Sequence, residues 1–160
     1  MWKILTDFNI PKKLINLIKA CYEESECAVR IGNNLTSFFK VESGLRQGCI
    51  LSPVLFNLVL EWVVRRCGPM NDGVKLSNFK VNKFAYADDV DVVGETLQDV
   101  QRMSARLVEE GKFAGLVCNE EKTKILLMDR EEDLDGQDCV VGQMTIKGVR
   151  KFKYLGTDLT

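Results

Sequence analysis

The chain has 160 residues, 46% of them hydrophobic, with 22 Lys and Arg against 23 Asp and Glu and a net charge of −1. That is enough chain for one domain with a sizeable core, and it lacks the global basic charge that announces a free-standing nucleic-acid binder. No histidine occurs and the six cysteines form no C-x-x-C pair, which excludes His-based triads and a His general base and argues against zinc sites of Cys/His type. The cysteines, mostly beside apolar neighbours, read as small core hydrophobes of a reducing compartment. With no signal peptide and no apolar run of membrane-spanning length, the expectation is a soluble intracellular protein, nuclear or cytoplasmic, with no membrane partner.

Trp2–Phe8 reads as the tail of a helix. Pro11 opens a second one, in which Leu14, Ile15, Leu17, Ile18, Cys21 and Tyr22 share a face. Lys12, Lys13, Asn16 and Lys19 on its other side read as a solvated surface. Glu26–Ile31 and Leu35–Val41 are predicted strands of a hairpin about Gly32-Asn33-Asn34. In the loop Glu42–Gly48, two glycines let a ligand approach the backbone closely, and Arg46 and Gln47 between them offer donors. An ordinary loop before a core helix would look the same. That helix should start with Ser52 as N-cap and Pro53 in the first turn, and PVLFNLVLEWVV is apolar on almost every side, as in a buried helix.

After turns at Gly68–Asn71 and Gly73, Val74–Leu76 and Phe79–Val81 are predicted strands. Then comes FAYADDVDVVG, Phe84–Gly94: two short apolar strands, Phe84–Ala87 and Val90–Val93, about Asp88 and Asp89. Hairpin tips usually recruit Asn-Gly or Asp-Gly, and breaches of local rules concentrate at functional sites. Adjacent carboxylates among Ala, Val, Tyr and Phe repel one another unless a cation lies between them, and a divalent ion with oxygen ligands is the natural compensation. A solvated Asp-Asp turn is the plain alternative; the apolar setting favours the site. Asp91 reads as a supporting or solvated carboxylate.

Thr96 and Asp99 suggest a capping box for a helix with the apolar stripe Leu97, Val100, Met103, Leu107 and Val108, ended by Gly115. Leu116–Cys118 and Ile125–Met128 are predicted strands about the polar turn Asn119–Thr123, where Lys122 by itself would be one more solvated lysine. Asp129–Asp138 is an acidic connection that phosphates would repel. Short strands follow at Val140-Val141, Thr145-Ile146 and Lys151–Leu155. Lys147, Arg150, Lys151 and Lys153 interleave with Phe152 and Tyr154, which suits contact with a nucleic-acid backbone. An edge strand protected by lysines is the alternative.

Four stretches resemble, in order, conserved boxes of reverse transcriptases of the non-LTR, LINE-type retrotransposons. They are SGLRQGCILSPVLFNLVLEWVVRR (Ser43–Arg66), FAYADDVDVVG with its YADD, GLVCNEEKTKILLM (Gly115–Met128) and FKYLGTDL (Phe152–Leu159). The resemblance implies an α+β palm, an antiparallel sheet around the Tyr86–Val93 hairpin with helices packed on one face. It implies RNA-templated DNA synthesis with two Mg²⁺ and no zinc, on an RNA template, a DNA primer and dNTPs. Asp88 would be the principal metal ligand and Asp89 the secondary one, and Lys122 would assist the leaving pyrophosphate. Arg46, Gln47, Gly48 and Tyr86 would shape the template and nucleotide pocket. Tyr154, Leu155 and Gly156 would grip the primer.

The family also has an earlier strand with another catalytic aspartate and the sugar-screening side chain, and nothing here matches it. Asp7, in ILTDFNIP, reads as a helix end rather than a substitute. The expectation is therefore a single, incomplete palm domain over 1–160, without the first catalytic strand and the fingers, whose 136–160 end leads towards a thumb. Alone it would be inactive, with weak or no Mg²⁺ binding, and open to self-association through an exposed sheet edge. Two rivals stay open: a domesticated, non-catalytic palm module that binds RNA or protein, and a truncated retrotransposon relic.

Overall fold

A computed structural model describes residues 1–23, 25–41, 44, 48–68, 73–128 and 134–160. They form two compact units, Met1–Trp62 and Val63–Thr160. In the first, α1 (Trp2–Asp7) and α2 (Lys12–Tyr22) bury Leu5 and Ile15 against Leu55. Pro11 stands at the N-cap of α2, one residue outside the helix it was expected to open. The apolar face of α2 is covered in part: Ile15 is buried, while Leu14 and Leu17 stay 49% and 55% exposed.

The predicted hairpin of the first unit is present but broken into two ladders. Inner strands β2 (Arg30–Ile31) and β3 (Asn34–Leu35) close on a loop of Gly32 and Asn33, so Asn34 belongs to a strand. Outer strands β1 (Glu26–Cys27) and β4 (Phe39–Lys40) pair antiparallel beyond them. Helix α3 spans Leu51–Arg66, and the division between units falls within it, after Trp62. Ser52 does not cap it. The residue lies inside the helix, 1% exposed, with its hydroxyl 2.9 Å from that of Tyr22. Nor is α3 buried all round: Leu55, Val59 and Val63 form a buried stripe at four-residue spacing, while Val54 is 52% exposed.

In the second unit, the predicted strands β5 (Val74–Leu76) and β6 (Phe79–Val81) pair antiparallel, followed by β7 (Lys83–Tyr86) and β8 (Asp89–Val92). Helix α4 (Leu97–Ala114) starts as predicted, the Thr96 hydroxyl accepting from the Asp99 amide at 3.1 Å. Thr96 and then Arg102 hold the Asp99 carboxyl below its usual range. The helix ends at Gly115, whose φ of 82° lets the Gly115 and Leu116 amides bond back to Lys112 and Gly111.

Residues 116–118 are not a strand: Cys118 packs on the core of the second unit, while Val117 is 92% exposed. Strand β9 (Lys124–Leu126) lies parallel to β11 (Met144–Val149), and β10 (Asp138–Val141) antiparallel to it, in the order β10-β11-β9. Their inner faces bury Ile125, Cys139, Val141, Met144 and Ile146 against Leu97, Ala105 and Val108 of α4. Hairpin β12 (Phe152–Tyr154) and β13 (Thr157–Leu159) ends the chain. The fold is mixed α and β, as expected. Among the described residues, however, the strands form several small ladders with one parallel pair, rather than one antiparallel sheet around β7–β8.

Candidate functional site

The β7–β8 register sets Tyr86 opposite Asp89 and Phe84 opposite Asp91. The loop is therefore Ala87 and Asp88, and Asp89 opens a strand instead of sharing the tip. Ala87 carries the strain, with φ of 52°; a left-handed conformation costs a non-glycine residue about 1–2 kcal/mol. Asp88 and Asp89 are both exposed, as are Phe84 and Tyr86. The expected crowding of two charges in a low-dielectric setting is thus absent, and water screens their repulsion.

The base of the hairpin is fixed by the Val93 amide on the Asn82 carbonyl at 3.0 Å. It is fixed also by Gly94, where a Cβ would stand 3.1 Å from side-chain atoms of Asp99 and Val100. Glycine here lets the hairpin close directly on the first turn of α4.

Asp89 and Asp91 share a face of β8, since alternate strand residues point the same way. On that face the Asp91 carboxylate acts on the Tyr154 hydroxyl and pushes the phenol up to about 12, with desolvation and the Asp89 charge adding to the effect. Tyr154 is the last residue of β12, and its hairpin turns on Leu155 and Gly156, with φ of 44° and 87°. Both signs match the hairpin twist, but leucine is a strained choice for the first position, and it stands exposed at the tip. Asp91 of FAYADDVDVVG thus acts on Tyr154 of FKYLG, an effect its sequence setting did not reveal.

A phenol with a raised pKa stabilises the fold below the ordinary value of about 10, and this contribution is lost as pH rises through about 12. An ultraviolet difference titration against Tyr154→Phe should find that late transition. In Asp91→Asn it should fall back towards the ordinary value; an unchanged transition would show that Asp91 is not the cause.

Lys122 is presented by a turn its neighbours build. The Asn119 side chain accepts from the Lys122 amide at 3.1 Å, and the Thr123 hydroxyl and amide both bond to the Asn119 carbonyl. The Lys122 ammonium is left exposed, with no ion pair among the described residues. The basic ribbon is arranged differently. Lys147 pairs with Asp138 at 2.6 Å, Lys151 with Asp158 at 2.7 Å, and Arg150 lies 3.9 Å from Asp135. The acidic connection therefore lends Asp135 and Asp138 to the very side chains expected to meet phosphate. Exposed pairs of this kind are worth up to about 1 kcal/mol, so a phosphate can displace them.

Arg46 and Gln47 lie outside the described residues. Gly48 is exposed with φ of 79°. Beside it, Cys49 is half-exposed rather than a core hydrophobe, its thiol drawn down to about 7, first by the Ser52 hydroxyl and then by backbone amides at the start of α3. Cys21 and Cys27 are exposed as well, whereas Cys67 and Cys139 are buried as expected. Asp7 accepts from the Trp62 indole at 2.8 Å, in keeping with its reading as a helix end.

Two carboxylates offer hard oxygen donors of the kind Mg²⁺ takes. Among the described residues, no group of three or more Asp, Glu, Cys or His could hold a metal ion. Asp88 and Asp89 fit part of a coordination sphere, not the whole.

The family model described as "Reverse transcriptase (RNA-dependent DNA polymerase)" matches residues 1–159. The chain is 26% identical over 168 residues to the Retrovirus-related Pol polyprotein from type-2 retrotransposable element R2DM of Drosophila melanogaster, covering 100% of this chain and 16% of that protein. It is 32% identical over 106 residues to the Pol polyprotein of the R2 element of Nasonia vitripennis, covering 64% of this chain and 10% of that protein. It is 26% identical over 157 residues to that of Popillia japonica R2, covering 93% of this chain and 26% of the relative. The chain thus spans between a tenth and about a quarter of these curated relatives. No helix among the described residues is long and apolar enough to cross a membrane.

Proposed function

The chain belongs to the reverse transcriptase (RNA-dependent DNA polymerase) family, and from that premise we propose that it forms palm of an RNA-directed DNA polymerase of a non-LTR retrotransposon, within a longer polypeptide. The observation that carries the reading is Asp88 at a strained, exposed hairpin tip, on the strand pair whose Asp91 raises the pKa of Tyr154 in a second strained hairpin. Backbone strain persists where the surrounding structure enforces it, and it clusters at sites of function.

Asp88 would be the principal ligand of divalent metal and Asp89 the secondary one, near the primer end, with further ligands from outside 1–160. When bound, two such ions clamp the attacking and leaving oxygens of an in-line displacement. The chain's own side chains do the positioning. Asp91 orients Tyr154, and with it the Leu155-Gly156 tip, so that the primer end is gripped at a fixed distance from Asp88. Lys122 offers an ammonium proton to the leaving pyrophosphate. By their place in the family's boxes, Arg46, Gln47 and Gly48 would meet template base or incoming nucleotide, as would Tyr86. Lys153, with Lys147, Arg150 and Lys151 once they exchange carboxylate for phosphate, steadies the backbone of the bound strand. The family match and the Pol polyprotein relatives favour neither the non-catalytic module nor the relic.

Half a coordination sphere binds metal weakly, and Mg²⁺ gives up its waters reluctantly. Calorimetry on the 160-residue chain should find a Mg²⁺ dissociation constant of about 1 mM or weaker, about −4 kcal/mol. Micromolar binding lost in Asp88→Ala would contradict this. The polymerase reading itself is tested by RNA-templated primer extension, with residues 1–160 grafted in place of the matched segment of the Drosophila R2 Pol polyprotein.

A further inference from the structure

Positive charge in this chain is most available away from the ribbon. Lys147, Arg150 and Lys151 each face a carboxylate, whereas Lys3, Lys12 and Lys19 have no acidic partner among the described residues. These three come from two helices, and the turn between α1 and α2 gathers them around one cleft of about 580 Å³, walled by Trp2 and with Asn9 and Asn16 among its lining. Among the described residues no carboxylate lines it, and Asp7, the acidic residue of α1, is engaged by Trp62. The Lys19 ammonium stands 5.5 Å from the centre of the Trp2 ring. A cation–π contact of this kind holds the ammonium in place without neutralising it. The volume falls within the range of about 300–1,000 Å³ typical of ligand sites.

We infer that the α1–α2 cleft docks a single strand of nucleic acid, with phosphates against Lys3, Lys12 and Lys19 and the Asn9, Asn16 and Trp2 side chains left for sugar and base. Three cations without acidic partners, packed around one concave surface, raise a local positive potential in a chain whose net charge is −1. A polyanion relieves it, and its released counterions drive the association. An aromatic wall beside a cationic track is the arrangement that accepts unpaired bases. A small anion would leave most of the cleft empty, and an acidic peptide would make no use of the indole. The inference concerns binding alone, so it stands or falls separately from the polymerase reading, which primer extension tests.

The test is fluorescence anisotropy of a labelled oligouridine on the 160-residue chain across a salt series. Three phosphates neutralised on a single strand give a log–log slope of about −2, or an affinity loss of about 15-fold between about 50 and 200 mM salt. Replacing the cleft lysines together, Lys3→Gln, Lys12→Gln and Lys19→Gln, should flatten that slope. A charge-matched control, Lys13→Gln, Lys40→Gln and Lys75→Gln, should leave most of it. In a Trp62→Phe variant Trp2 is the remaining tryptophan, and its emission should change with the same midpoint as the anisotropy. That readout leaves every lining side chain of the cleft in place, so it decides the matter if the triple variant folds poorly. Equal losses in both triple variants, or a Trp2 signal indifferent to saturating RNA, would overturn the inference.

Discussion

Replacing Asp88 with Asn is expected to lower RNA-templated primer extension by on the order of 10³-fold or more, because transition-state charge loses a preorganised metal contact. The substitution is nearly isosteric and the side chain is exposed at the hairpin tip, so folding should not change with it. The measurement is single-turnover extension by the R2 polyprotein carrying residues 1–160. Asp91→Asn is the informative comparison. That carboxylate raises the pKa of the Tyr154 phenol, so its loss should loosen the hold on the primer and raise KM more than it lowers kcat. Extension by Asp88→Asn within about tenfold of the parent, about 1.4 kcal/mol, would remove Asp88 from the reaction. Equal losses in kcat for Asp88→Asn and Asp91→Asn would do the same for the division of labour between them.

Gly148→Ala should destabilise the second unit by about 2–4 kcal/mol, through overpacking and strained backbone hydrogen bonds. Gly148 sits in β11 beside Ile125 of β9, and an added Cβ would overlap the Leu134 carbonyl and side chain. The same backbone is tied on both sides, Gly136 donating to the Gly148 carbonyl at 3.0 Å and Gly148 to the Gln137 carbonyl at 2.9 Å. Neither strand can yield without breaking those bonds. Gly136 provides the contrast: its φ is 72° but a Cβ there meets nothing, so Gly136→Ala should cost about 1 kcal/mol of conformational strain alone. Urea unfolding followed by circular dichroism separates the two. A smaller loss for Gly148→Ala than for Gly136→Ala would mean that residues 134–137 do not pack on β11. The consequence reaches the site, because this turn carries Asp135 and Asp138 lies just beyond it, and the pair hold Arg150 and Lys147.

Much of the site could be read from local chemistry. The capping pair Thr96 and Asp99, the terminating Gly115 and the Asn119–Thr123 turn all depend on residues within a few positions of one another. Such features follow from hydrogen-bonding chemistry and φ preferences that the residue types carry with them. The family, too, was legible in four ordered boxes, and the match over residues 1–159 agrees.

What failed was whatever required a partner from afar. The stretch 116–118 is apolar enough for a strand but has no ladder to join, and β9 pairs instead in parallel with β11. The apolar runs around Asp88 and Asp89 suggested a buried pair, but the register moved Asp89 into β8 and left both carboxylates in water. Periodicity reports which face is apolar, not whether another element covers it. The same limit hid the effect of Asp91 on Tyr154, the pairing of the ribbon with acidic side chains, and the meeting of Lys3, Lys12 and Lys19 in one cleft. Residue types and their order were enough for the family and for the local turns and caps. Tertiary structure alone decided which charges are neutralised and which remain available, because ion pairing depends on distances that only the folded chain sets.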